Sequence, residues 1–281
     1  DYATNTWTNM TALPSYSVVG GPLLGREAHD MVYDSDTDMT IMFGGNTLSV
    51  VNLKDTWSYD YATNTWTNLS SLPSYSEVGG TLLGRRWTDM AYDSHAKRII
   101  LYGGHNEEVE GLDDTWAYDA STNTWYNMSP TVVGGTLYKT WVSALVYDSS
   151  ADRTIMFGGL QEEPGYIYTD ETWAYDYNTN TWYKMDPEVI GGTLLQRAGH
   201  VMVYDSYAQK SVMFSGKWTK EGGAYDLNDT WTYDFSENTW TNINYNVVGG
   251  WLAPRECAGM VYNSDEQNII MFGGWSVFVN F

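Results

Sequence analysis

Arginine returns at one place in this chain, as Arg26, Arg85, Arg197 and Arg255, and Arg86, Trp87, Lys139 and Trp141 stand beside the same positions. A guanidinium offers paired N–H donors that match a carboxylate, so a ring of such groups could receive an anionic ligand such as an acidic sugar or an acidic peptide. The competing reading makes each arginine the partner of an aspartate in its own or the next repeat, such as Asp55, Asp113 or Asp229, with a structural role. Glu27 and Glu256 lie beside the arginines and would be the acids of a sugar-converting site. Tyr16, Tyr75, Tyr138 and Tyr245 could stack on a ligand or simply cover loop backbone.

Other chemistry finds less support. Asp34-Ser35-Asp36-Thr37-Asp38 has the alternating carboxylates of a calcium loop without its glycine and distal glutamate, and reads as a solvated turn. The histidines, His29, His95, His105 and His200, are scattered, and His29 and His200 occupy equivalent positions suited to packing between repeats. No metal site, cofactor or Ser, His and Asp nucleophile set is expected. Cys257, the single cysteine, reads as a small buried strand residue. Asn9, Asn68, Asn127 and Asn228 begin Asn-X-Ser/Thr acceptors, the first three at one repeat position, which argues for a glycoprotein outside the cell or on its surface.

A formal charge of −21, from 35 acidic and 14 basic side chains, disfavours nucleic acid and anionic membranes as partners. No apolar run approaches the roughly 20 residues of a spanning helix. With 281 residues and no linker or low-complexity stretch, the chain reads as one domain over residues 1–281. A chain of this length buries roughly 75% of its unfolded surface and needs no disulfide.

The elements that must position these groups repeat. Asn-Thr-Trp occurs at Trp7, Trp66, Trp125, Trp182 and Trp240, spaced 59, 59, 57 and 58 residues apart. In the unit from Arg85 to Asn127, Thr88–Tyr92 is strand-like and a turn follows at Asp93-Ser94. Arg98–Tyr102 is apolar and ends at Gly103-Gly104, Thr115–Tyr118 alternates, and Thr124–Met128 closes the unit. Four short strands without a helical period describe a blade of a β-propeller.

These residues resemble the kelch family: an Arg opening the first strand, an apolar strand ending in Gly-Gly, a Tyr-Asp and a Thr-Asn-Thr-Trp. In that family the arginine, the glycine pair and the tryptophan are framework residues, and the resemblance implies that role here. Departures are Ser215-Gly216 in place of Gly-Gly, the loss of the arginine near Lys139, and an extra Gly-Gly insertion in every unit. The copper enzyme galactose oxidase also resembles the fold, but its Tyr–Cys and histidine set has no counterpart. The expected architecture is all-β: a kelch-type propeller of five repeats of four-stranded antiparallel blades, the fifth closed by both termini. Residues 275–281 would be its third strand and Thr6–Met10 its outermost.

Antiparallel order puts short Asp/Ser turns on one face and the long connections 46–54, 105–113, 160–170 and 217–227 on the other. Loops that vary on a kept scaffold are where binding sits. The sequence therefore points to a non-enzymatic extracellular binding or assembly module that presents this face to a protein or glycan. The alternatives are a carbohydrate-active enzyme resembling sialate mutarotases, working in the central channel, and a self-assembling subunit of a filament or surface layer.

Overall fold

The computed structural model describes residues 4–49, 51–162, 165–220, 223–243, 248 and 252–276. Four units form complete blades. In the second, the innermost strand Asp89–Asp93 pairs with Arg98–Tyr102, which pairs with Thr115–Asp119, which pairs with Thr124–Asn127, all antiparallel. The expected strands thus appear within a residue or two of their bounds. The hairpin between the first two strands is set by an aspartate whose Oδ1 accepts two amides: Asp93 takes those of His95 and Ala96, and Asp148 those of Ser150 and Ala151. Such side chains mimic a backbone turn, which is why Asp-Ser recurs there. Asp34 of the calcium-like run does the same for Asp36 and Thr37.

Each complete blade has a fifth strand that the sequence reading placed in a loop insertion. Ser17–Val19, Ser76–Val78, Thr131–Val133 and Glu188–Ile190 pair in parallel with the fourth strand of their own blade. The chain therefore lays down the outer edge of a blade first, crosses the loop face to the axis, and works back outward. The insertion's glycine pair makes the crossing. Gly79 and Gly191 sit at φ +85° and +87°, and a Cβ on either would lie 3.3 Å from the Cβ of Asn127 or Asn242.

Blades are joined by tryptophan. Trp125 donates its Nε1–H to Thr56 Oγ1 of the preceding blade at 2.9 Å and packs against Phe43, 5.1 Å between ring centroids. Trp182 does so with Thr115 and Tyr102, and Trp240 with Thr172 and Phe157. Near the axis, backbone bonds run from blade to blade: Trp87 N–H to Ala28 O, Val142 to Trp87, Gly199 to Val142 and Cys257 to Gly199, at 2.7–3.0 Å.

In the fifth blade the described strands are Gly259–Asn263 and Asn268–Phe272. Most of the segment expected to be its third strand, residues 277–281, lies outside the described residues. Thr6–Asn9 is described and takes no strand pairing there. Trp7 instead rests against Phe272, 4.9 Å between centroids, in the relation that Trp125 has to Phe43 of the preceding blade.

Candidate functional site

The recurring arginines separate into two groups. Arg26, Arg85 and Arg197 make two-pronged ion pairs with Asp55, Asp114 and Asp229 at 2.5–2.9 Å, and each also donates to the carbonyl of Gly44, Gly103 or Ser215. The same aspartates accept the Nε1–H of Trp57, Trp116 and Trp231. The Arg85 and Arg197 side chains have no exposed surface. These three arginines are thereby framework pairs, and the partner in the second blade is Asp114, not Asp113.

The third blade rebuilds the same node from other residues. Thr140 stands where the arginine would be, since its carbonyl accepts Gly104 N–H as that of Arg85 accepts Gly45 N–H. Glu171 replaces the aspartate, accepts Trp173 Nε1–H at 3.0 Å, and pairs with Lys184 of the fourth strand at 2.5 Å. A longer acid reaches outward to a lysine once the inner guanidinium is gone. The position one residue from Lys139 is thus the exchanged one.

Arg86, Trp87, Lys139 and Trp141 meet on the loop face, with residues the sequence did not single out. The Arg86 guanidinium lies 4.1 Å over the Trp87 ring and pairs with Glu107 at 2.6 Å. A run of rings passes from Trp87 to His105, Trp141 and Tyr166 at centroid separations of 5.9, 5.2 and 5.8 Å. Tyr166 donates its hydroxyl to Glu110, tying the loop of the second blade to that of the third, and Lys139 reaches Glu162 at 3.5 Å. Burial and the neighbouring Arg86 hold the His105 imidazole below its ordinary range, so it is neutral at pH 7. Every cation here is matched by a carboxylate, while Glu108, Glu110, Asp113 and Asp170 stay exposed beside Val109 and Ile167. Trp141 is buried and Trp87 and His105 are half-buried, so the exposed surface consists of Tyr166, Val109 and Ile167 among these acids, suited to a partner with apolar and cationic side chains. The signal for His105 was its place: the residue after the glycine pair is Asn46, His105, Leu160, Lys217 or Trp275, different in every copy.

Below this face the five innermost strands line a central cavity of about 580 Å³. Asp30 and Asp89 stand in it at equivalent positions of neighbouring blades, where the other copies have Ala144, Val201 and Gly259. Asp30 accepts the amides of Met31 and Met90, and Asp89 accepts the Ser143 hydroxyl at 3.0 Å. Their partly open surface faces the cavity, and desolvation raises both carboxyls, Asp30 to about 6 and Asp89 well above its ordinary range, where the repulsion of Asp30 adds to the effect. Folding therefore favours the protonated pair, and its contribution to stability falls as pH rises from about 4 through 6. Asp89→Asn keeps an acceptor for Ser143 and removes the repulsion. It should stabilise the fold at pH 7 by on the order of 1–2 kcal/mol and leave it unchanged near pH 3. Urea titrations at the two pH values check this, and an equal effect at both would refute the assignment.

The remaining groups have local explanations. Asn68 and Asn127 recur because the crossing glycines pack on them, as one does on Asn242, which begins no acceptor sequence; Asn9 and Asn228 are exposed. His200 is buried with its ring edge on Phe157, as expected for packing between blades, and burial depresses it to about 3. Cys257 is exposed at φ +54°, ahead of its strand rather than within it, with its thiol pushed up to about 11 by partial desolvation and Glu256. Arg255 takes the pose of the framework arginines, donating to the carbonyls of Ala253 and Gly273. Tyr245 lies outside the described residues, and Tyr75 bonds to Glu77 and Tyr138 supplies a carbonyl to Tyr102. Among the described residues no three His, Cys, Asp or Glu side chains converge as a metal site, and no helix is long and apolar enough to cross a membrane.

Residues 74–274 match the KLHDC2/KLHL20/DRC7 Kelch-repeats domain. Kelch domain-containing protein 10 of Xenopus tropicalis is 23% identical over 244 residues, covering 79% of this chain and 50% of that protein. The Homo sapiens and Bos taurus proteins of that name are 22% identical over 244 residues, covering 79% of this chain and 47% of each. The chain spans about half the length of the curated relatives it matches.

Proposed function

The chain belongs to the kelch-repeat family, and on that premise we propose that it is a non-enzymatic binding module whose loop face, centred on Trp87, His105, Trp141 and Tyr166, takes a protein partner. One observation carries this reading. Leu48, Val51, Val109, Tyr166, Ile167 and Tyr225 all lie exposed in connections between second and third strands, whereas the short turns themselves expose Tyr61 and Tyr207 among the described large apolar residues, with Leu13 and Tyr33 beside them. Exposed apolar groups rimmed by charge mark interaction surfaces. The sugar-converting alternative loses support because Arg85 and Arg197 are committed to Asp114 and Asp229 and present no donor to the channel.

Peptides selected against the protein from a random display library test the proposal. Binding should weaken at least about tenfold when Tyr166 and Ile167 are changed to serine, and persist when Tyr207 is. Selected peptides that depend on Tyr207 and ignore the loop pair would place binding on the wrong face and end it.

A further inference from the structure

The exposed apolar side chains Val109, Tyr166 and Ile167 lie on two connections that touch, since the Tyr166 hydroxyl of the third blade donates to Glu110 of the second at 2.8 Å. Charge around them is one-sided. The connections of the second and third blades, residues 105–113 and 160–170, hold seven acidic side chains and no lysine or arginine, whereas those of the first and fourth, residues 46–54 and 217–227, hold two acids and three lysines. Arg86 and Lys139 approach the apolar group from the starts of their blades, but Glu107 and Glu162 answer them. Glu108, Asp113 and Asp170 are exposed with no cation paired to them among the described residues, and Glu110 takes the Tyr166 hydroxyl alone.

This distribution selects the occupant. A second copy of the chain would bring a net charge of −21 and the same acids to the face, and nucleic acid or an anionic membrane would be repelled in the same way. A lysine or arginine satisfies both halves of the surface, because its methylene stem covers apolar groups while its head stays with the carboxylates. We infer that the partner of the loop face is a basic polypeptide segment. Its cations meet Glu108, Glu110, Asp113 and Asp170, its apolar side chains cover Val109, Tyr166 and Ile167, and it lies over the second and third blades, away from the lysines of the first and fourth. The inference deepens the loop-face reading and rests on it.

Two peptide display libraries of equal size test it, one with lysine or arginine at alternate positions and the other with aspartate or glutamate there, the remaining positions being random. Peptides whose binding is lost on changing Tyr166 and Ile167 to serine should come from the basic library alone. As synthetic peptides in fluorescence anisotropy, they should bind at least about tenfold more weakly to a Glu108→Gln, Asp113→Asn, Asp170→Asn protein. A Glu237→Gln, Asp265→Asn, Glu266→Gln protein removes the same charge from exposed residues of the short turns, and should bind them within about twofold of the unaltered chain. Equal weakening by the two triple variants would reduce the attraction to overall charge and overturn the inference. Loop-dependent peptides from the acidic library would overturn it too, while leaving the binding face in place. If neither library yields a peptide that depends on Tyr166 and Ile167, the binding face itself falls and the inference with it.

Discussion

An Arg85→Met variant should lose about 3–5 kcal/mol of unfolding free energy, because it leaves the Asp114 carboxylate in the blade without its cation. Arg85 has no exposed surface and satisfies both Asp114 oxygens as well as the Leu83 and Gly103 carbonyls, so its removal strands four acceptors, of which Trp116 still serves one. Arg98→Met is the control. Arg98 pairs with Asp119 at 2.9 Å but is a quarter exposed, and its loss should cost no more than about 1 kcal/mol. Pairing Arg85→Met with Asp114→Asn removes the stranded charge while leaving an acceptor for Trp116, so the double variant should be more stable than Arg85→Met alone. Urea unfolding of the four proteins provides the comparison. A loss below 1 kcal/mol for Arg85→Met would mean that the aspartate finds water when its partner goes, and that the pair is not a framework element.

Trp182→Ala should cost about 3–5 kcal/mol, the range for emptying an aromatic site in a packed core. The side chain is fully buried, stacks near Tyr102 and Tyr175, and bonds to Thr115 of the preceding blade. Because repeats touch mainly their neighbours, the damage falls on the junction of the second and third blades, and unfolding should broaden or split into two steps. Trp7→Ala, at a ring mostly in solvent, should change stability by less than about 0.5 kcal/mol. Equal effects at the two tryptophans would show that the contact between blades is not what Trp182 provides.

The sequence disclosed whatever recurs with the same residues. The apolar strand ending in Gly-Gly, the alternation around Trp116, and the choice between ligand and framework for Arg85 were all visible, because fixed spacing ties each to one place in the blade. The strand Ser76–Val78 was hidden: three residues show no alternation, a glycine pair follows them, and their parallel partner is 48 residues away. In Asp113-Asp114 the choice of partner depends on which acid lies two residues before Trp116, where the indole N–H can reach it. The loop cluster of His105, Trp141 and Tyr166 was only half legible, since its members come from different blades and no repeat links them. Asp30 and Asp89 carried a usable signal, two acids 59 residues apart on strands that face the axis, but a carboxylate in a strand looks ordinary until its neighbours are known.

The early position of the outer strand in each unit also bears on how the protein is made. Ser17 must wait for Thr65 and Ser76 for Thr124, each 48 residues further along, while the inner hairpin of the same blade, Asp30–Phe43 or Asp89–Tyr102, closes within fourteen residues. On a ribosome the outer strand of each complete blade is therefore the last to be placed, and it waits with its backbone edge unpaired. Pairings of such sequence distance are slow to form and leave strand edges exposed meanwhile. A chain stalled just before a fourth strand would carry both a finished hairpin and a loose, unpaired outer strand, so translation arrest there should yield a more adhesive product than arrest one strand later.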